Sequence, residues 1–100
     1  MRLVIKHVVM FRFQDNVPQD ERQSVLDALA LFPQRFPSMR NWVCGVNRSE
    51  RDDRFSHMFA VEFATEDDLR SYLSSEEHEH FVTERWRPVI AERAIVSIAY

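Results

Sequence analysis

The stretch Leu3 to Phe13, LVIKHVVMFRF, constrains this chain more than any other. At the two-residue period of a strand, one face carries Leu3, Ile5, His7, Val9, Phe11 and Phe13. The opposite face carries Val4, Lys6, Val8, Met10 and Arg12, and its middle is apolar as well. A strand with one wet face places polar residues at every second position. This one does not, so its sheet must be covered on both sides. Helices of the same chain supply one cover, and a second copy of the chain is the simplest source of the other. His7, in the middle of the bulkier face, is the first hint of chemistry.

The remaining elements follow from spacing. Pro18 suits the first turn of a helix whose start is favoured by Asp20 and Glu21. Val25, Leu29, Phe32 and Phe36 recur at helical intervals with Leu26 beside them, and Pro33 is expected to end the helix near Phe32. Asn41 to Asn47 reads as a second strand, in which Gly45 predicts a bulge or a close backbone approach. Arg48 to Arg54, with six charges in seven residues, is a turn. Phe55 to Ala64 is a third strand with Phe55, His57, Phe59, Val61 and Phe63 on its bulky face.

Thr65 can cap a helix with Leu69, Tyr72 and Leu73 inward, interrupted at Ser74 to Glu76. A further helix places His78, Phe81, Val82, Arg85 and Val89 on one side, with Trp86 flanking and Pro88 as its end. Ile95 to Tyr100 closes the chain as a strand. Two strand–helix–strand halves joined by a hairpin are the ferredoxin-like βαββαβ plan: an α+β fold, with helices on one face of a four-stranded antiparallel sheet. The uncovered face, around Val4, Val8, Met10, Met58 and Ala60, predicts a homodimer formed sheet to sheet. Lys6 and Glu62 point to that face and are expected to pair.

Composition narrows the function classes. A chain of 100 residues, read as a single domain over 1–100, with 45% hydrophobic residues, is not disordered. A net charge of -3 argues against a nucleic-acid partner, and Arg48, Arg51 and Arg54 alternate with Glu50, Asp52 and Asp53. Cys44 is alone, so it has no internal disulfide partner. No secretory leader pattern and no run long enough to span a membrane is present, which sets a cytoplasmic location as the expectation.

Parity puts His7 and His57 on the helix-covered side of the sheet, beneath Tyr72 and His78 on the inward helix stripes. Each ring alone has an ordinary explanation as hydrogen-bonded core. Together they predict a slot in which imidazoles and a phenol divide proton removal from carbonyl polarisation without a cofactor, with Val9, Phe59 and Phe81 as apolar walls toward a small apolar or aromatic carbonyl ligand. His78 and His80, two apart on a helix, do not face one another, so no metal site is expected despite Glu76, Glu77 and Glu79. Cys44 reads as a structural thiol, and Trp42 and Trp86 as core or interface anchors.

The chain resembles the stress-responsive A/B barrel (Dabb) family. IKHVVMFRF is similar to that family's first strand, FPSMRNWVCGVN to its loop into the second, and FSHMFAVEFATEDDLRSYLSSEEHEHF to its histidine-bearing third strand and tyrosine–five residues–histidine pattern. RPVI and a strand ending in Tyr100 resemble its close. The resemblance implies a dimeric α+β barrel built from two ferredoxin-like subunits. It further implies a relation to plant polyketide cyclases, with His78 as general base, Tyr72 on the enolate or carbonyl oxygen, and His7 and His57 orienting the groups. Where a histidine–proline pair often precedes the helix histidine, this chain has Ser75 and Glu76. Two other readings compete with an aldol-type cyclase or lyase: a non-catalytic stress-response or ligand-binding dimer, and a cofactor-free monooxygenase.

Overall fold

The computed structural model describes residues 3–100. Its elements are β1 (Ile5–Phe13), α1 (Gln19–Ala30), α2 (Phe32–Arg35), β2 (Arg40–Val46), β3 (His57–Phe63), α3 (Glu66–Ser74), α4 (Glu76–Phe81), a π turn (Val82–Trp86) and β4 (Ile90–Ala99). They form the ferredoxin-like α+β fold, with one antiparallel sheet in the order β2-β3-β1-β4. β1 is central, and its burial alternates without a break: Ile5, His7, Val9, Phe11 and Phe13 are buried, while Lys6, Val8, Met10 and Arg12 are half-buried. Leu3, grouped with the buried face by parity, lies before the strand and is exposed.

The helix layer closes over the bulky face. Phe11, Phe32, Phe63, Leu29, Val25 and Val61 are almost wholly hidden from solvent. Phe32 is the hub: its ring meets Phe36, Trp42, Tyr72 and Phe81 at centroid distances of 5.2, 5.8, 6.3 and 4.9 Å. Burial of such rings dominates the stability of a small core, at roughly 1.5–3 kcal/mol for each large apolar side chain.

Local chemistry explains the boundaries and several departures from expectation. Pro18 is the N-cap of α1 rather than a first-turn residue. Pro33 does not end a helix at Phe32. α1 stops at Ala30, and Pro33 sits in the first turn of α2, where its missing N–H leaves no bond unmade. Gly45 marks neither a bulge nor a close approach: a Cβ there would meet nothing within 4 Å. The irregularity of β2 lies instead between Arg40 and Val43, where Asn41 takes φ 53°, a left-handed conformation that asparagine tolerates.

Thr65 caps α3, accepting the Asp68 N–H at 3.0 Å. Leu73, expected inward, is exposed because it borders a cavity rather than packed side chains. The helix after Ser75 widens into a π turn in which the Arg87 N–H donates to the Val82 carbonyl at 2.9 Å. Five-residue spacing brings Phe81 and Trp86 onto the same buried side, so Trp86 is core rather than flanking. Arg85 is turned outward and donates to Ser24 Oγ at 2.8 Å. β4 starts at Ile90, five residues before Ile95, because the charges of Glu92 and Arg93 are tolerated on an edge strand.

On the other face of the sheet, Met58, Val43, Val96 and Ile98 are exposed, with Val8 and Met10 half-buried between them. Ala60 offers little surface there, being 6% exposed between its sheet neighbours, and the edge strands supply most of the bare apolar area. Lys6 and Glu62 sit opposite one another in register and pair at 3.0 Å. The bond to Glu62 holds the Lys6 ammonium above its ordinary pKa, and the same bond holds the Glu62 carboxyl below its own. Arg12 and Glu92 form a second pair on this face at 3.1 Å.

Candidate functional site

Three of the four predicted rings meet between the sheet and the helices. His7, at the middle of β1, is 3% exposed and lies between Val61 of β3 and Ser97 of β4. Its Nδ1 is 2.7 Å from Ser97 Oγ, a hydrogen bond that fixes the ring from the edge strand. Burial, reinforced by the neighbouring His78, lowers its pKa and keeps it neutral. Tyr72 descends from α3 onto His7, with ring centroids 6.3 Å apart and edge to face. It is locked by Phe63, stacked at 5.5 Å, and by Phe36 at 4.9 Å. Burial pushes the Tyr72 hydroxyl far above its ordinary pKa, so it stays protonated and is able to donate. No buried side-chain N or O atom lacks a hydrogen-bond partner among the described residues.

His78 enters from the first turn of α4. Ser75 caps that turn: its Oγ accepts the His78 N–H at 3.1 Å while its O–H donates to the Tyr72 carbonyl at 2.8 Å. One hydroxyl therefore couples the backbone of Tyr72 to that of His78. The His78 Nδ1 lies 3.1 Å from the Leu73 carbonyl. A carbonyl only accepts, so Nδ1 carries the proton in that bond and Nε2 of the neutral ring keeps its lone pair. Burial lowers the His78 pKa, against a raising influence from the Leu73 carbonyl and from Glu79.

The three rings share a cavity of about 210 Å³. Val9, Phe59 and Phe81, predicted as walls, all line it, and Trp86 joins them. An apolar enclosure with a few convergent polar groups is the usual form of a small-molecule site.

His57 is not part of this cluster. In register it lies opposite Phe11, four residues along β1 from His7, which is about 13 Å at the rise of a strand. Its ring stacks on Phe11 at 5.4 Å, stands edge-on to Phe13 at 5.7 Å, and bonds Ser56 Oγ through Nδ1 at 2.8 Å. Parity fixes which side of a sheet a residue faces, not how far along the strand it lies. The expected convergence of four rings is therefore a convergence of three. His57 instead borders a groove at the β2–β3 hairpin. His80 is exposed, and among the described residues no group of His, Cys, Asp or Glu is placed to hold a metal ion. Among the described residues no helix is long and apolar enough to cross a membrane.

Sequence reasoning missed Ser97 and Ser75. Ser97 had a signal, as the lone polar residue inside IVSIA, on the parity of Ile95. Ser75 had one too, since serine three residues before His78 is the spacing of a helix cap.

Comparison with known proteins places this geometry among related chains. The family model described as the stress responsive A/B barrel domain matches residues 5–99. A Dabb family protein with a ferredoxin-like fold from Mesorhizobium loti superposes with a TM-score of 0.82 at 21% identity, over 99% of this chain and 96% of that one. The hydroxynitrile lyase of Passiflora edulis gives 0.88 at 18% identity, over 97% and 93%. A dimeric ferredoxin-like protein of unknown function from Thermobifida fusca gives 0.83 at 24% identity, over 100% and 93%. No curated protein is similar to the chain in sequence.

Proposed function

The chain belongs to the stress-responsive A/B barrel family, and from that premise we propose that it is a homodimeric, cofactor-independent lyase or cyclase that moves a proton at a small carbonyl compound. The observation that carries this reading is the 3.1 Å approach of His78 Nδ1 to the Leu73 carbonyl. With Nδ1–H bound to the Leu73 carbonyl, Nε2 is the basic atom, on a ring whose burial keeps it neutral near pH 7. Nε2 removes a proton from the carbon next to a carbonyl, leaving an enolate, or from a hydroxyl whose oxygen becomes the carbonyl as the adjacent carbon–carbon bond breaks. In the second case the departing carbon keeps the electron pair and takes the proton back from the imidazolium. The Tyr72 hydroxyl donates to the oxygen on which charge develops. His7, held by Ser97, orients the same oxygen from the floor. His57, at the level of Phe11, takes no part.

Cavity size bears on the substrate. About 210 Å³ holds a single aromatic ring or a short chain with one carbonyl group. A compact lyase or aldol substrate therefore fits better than a long polyketide to be cyclised. A hydroxynitrile lyase among the structural neighbours is in keeping with lyase chemistry on this fold. Structural neighbours described as dimeric support a homodimer, and the bare apolar sheet face is where we place its interface.

The test is deuterium exchange next to the carbonyl of small aryl alkyl ketones and arylacetaldehydes, followed by NMR. Exchange catalysed by the wild type should fall about 10²–10⁴-fold in His78→Gln and fall again in Tyr72→Phe. Exchange that is unchanged in His78→Gln would remove His78 as the base, and no exchange above background with the wild type would leave a binding protein.

A further inference from the structure

Two arginines border the cavity and hold no carboxylate. Arg87 follows the π turn, and Arg93 lies on β4 opposite Phe11, on the same side of the sheet as Ile95 and Ser97. Arg12, Arg35, Arg54 and Arg70 are each paired with an acidic side chain, whereas Arg87 and Arg93, like Arg22, Arg40, Arg48, Arg51 and Arg85, are in no ion pair among the described residues. What sets Arg87 and Arg93 apart is that they line the cavity. Both also line the depression that adjoins the cavity, so they flank its opening from two elements. Glu79 lies on the same lining. Glu92 lines the depression too, but its carboxylate is taken up by Arg12 at 3.1 Å, so Arg87 and Arg93 against Glu79 leave a single net positive charge at this rim.

We propose that the site takes a carbonyl compound bearing one carboxylate, with the carbonyl end at Tyr72 and His78 and the carboxylate end between Arg87 and Arg93. This rests on the reading of the ring cluster as the carbonyl end. Arg93 precedes Ser97, the residue opposite His7, by four residues on β4, which is about 13 Å along the strand from the level of His7, less the inward reach of the arginine side chain. Phe81, Trp86 and Val9 form the apolar middle, which fits an aromatic ring between the two polar groups. A guanidinium's planar fork matches a carboxylate in a way that a solvated lysine would not. The single net charge favours a monoanion over a phosphate ester.

The experiment compares 4-acetylbenzoate with acetophenone by calorimetry at low salt, together with the ring resonances of His7 and His78. The wild type should bind 4-acetylbenzoate about tenfold more tightly or better, and the double variant R87Q/R93Q should bind the two equally while keeping its acetophenone affinity. Equal binding by the wild type, no binding of 4-acetylbenzoate, or a preference that survives in R87Q/R93Q would overturn the proposal. Tighter binding of phenyl phosphate than of benzoate would overturn the choice of carboxylate. Should the arginine-dependent preference hold while the His7 and His78 resonances stay unmoved by 4-acetylbenzoate, the anion end stands and the carbonyl reading fails instead.

Discussion

The rings of Tyr72 and His78 lie 4.6 Å apart, tilted by 62°, across the break between α3 and α4. Ser75 makes that break and holds both sides of it. Ser75→Ala should therefore lower stability by about 1 kcal/mol, the usual worth of a helix cap. It should also lower turnover by freeing the His78 backbone, and Ser75→Thr should restore both. Chemical denaturation and kcat on the three proteins check this. A Ser75→Ala protein with normal turnover would show that His78 is positioned by other contacts.

Acid should weaken the fold over a defined range. Burial is the leading cause that lowers the pKa of His7, His57 and His78. Their folded pKa values lie below the unfolded value of about 6.5, so the unfolded chain binds more protons between the two. The stabilisation is complete above about 6.5 and is lost as pH falls through the depressed values. Urea midpoints should be level from pH 8 to 7 and fall from pH 6.5 to 5, before the carboxylates titrate. A flat profile down to pH 5 would mean that these rings protonate freely in the folded state.

The bare sheet face should pair with its own copy. Met58 and Val96 lie on that face beside half-buried Val8 and Met10. Met58→Lys or Val96→Lys places an unpaired charge in each half of the interface, at roughly 3–5 kcal/mol for each one buried. Sedimentation equilibrium should show a wild-type dimer and monomeric variants with unchanged far-UV circular dichroism. A monomeric wild type at micromolar concentration would remove the second cover from the sheet.

Much of this arrangement was legible in the residues, and the exceptions share a cause. Alternation puts His7 on the covered side and Lys6 on the same bare face as Glu62, and both hold; the register then sets Lys6 opposite Glu62. The same alternation gave His57 the correct side but not its place beside Phe11, since register depends on the hairpin between β2 and β3 rather than on period. Trp86 reads as flanking at 3.6 residues per turn, and only the π turn brings it inward. The first half of β4 was hidden by Glu92 and Arg93, whose charges look like loop until Arg12 is found across from Glu92. Ser97 is visible as an oddity in sequence, yet its bond to His7 spans the length of the chain.

The central claim is that His78 is a neutral imidazole with its proton on Nδ1 and a free Nε2. Nitrogen-15 NMR of the histidine side chains at pH 7 tests it directly, because the two ring nitrogens shift apart according to which one is protonated. His78 should show a protonated Nδ1 and a bare Nε2, with Nε2 alone moving when a carbonyl ligand is added. A proton on Nε2, or a charged imidazolium at that pH, would contradict it.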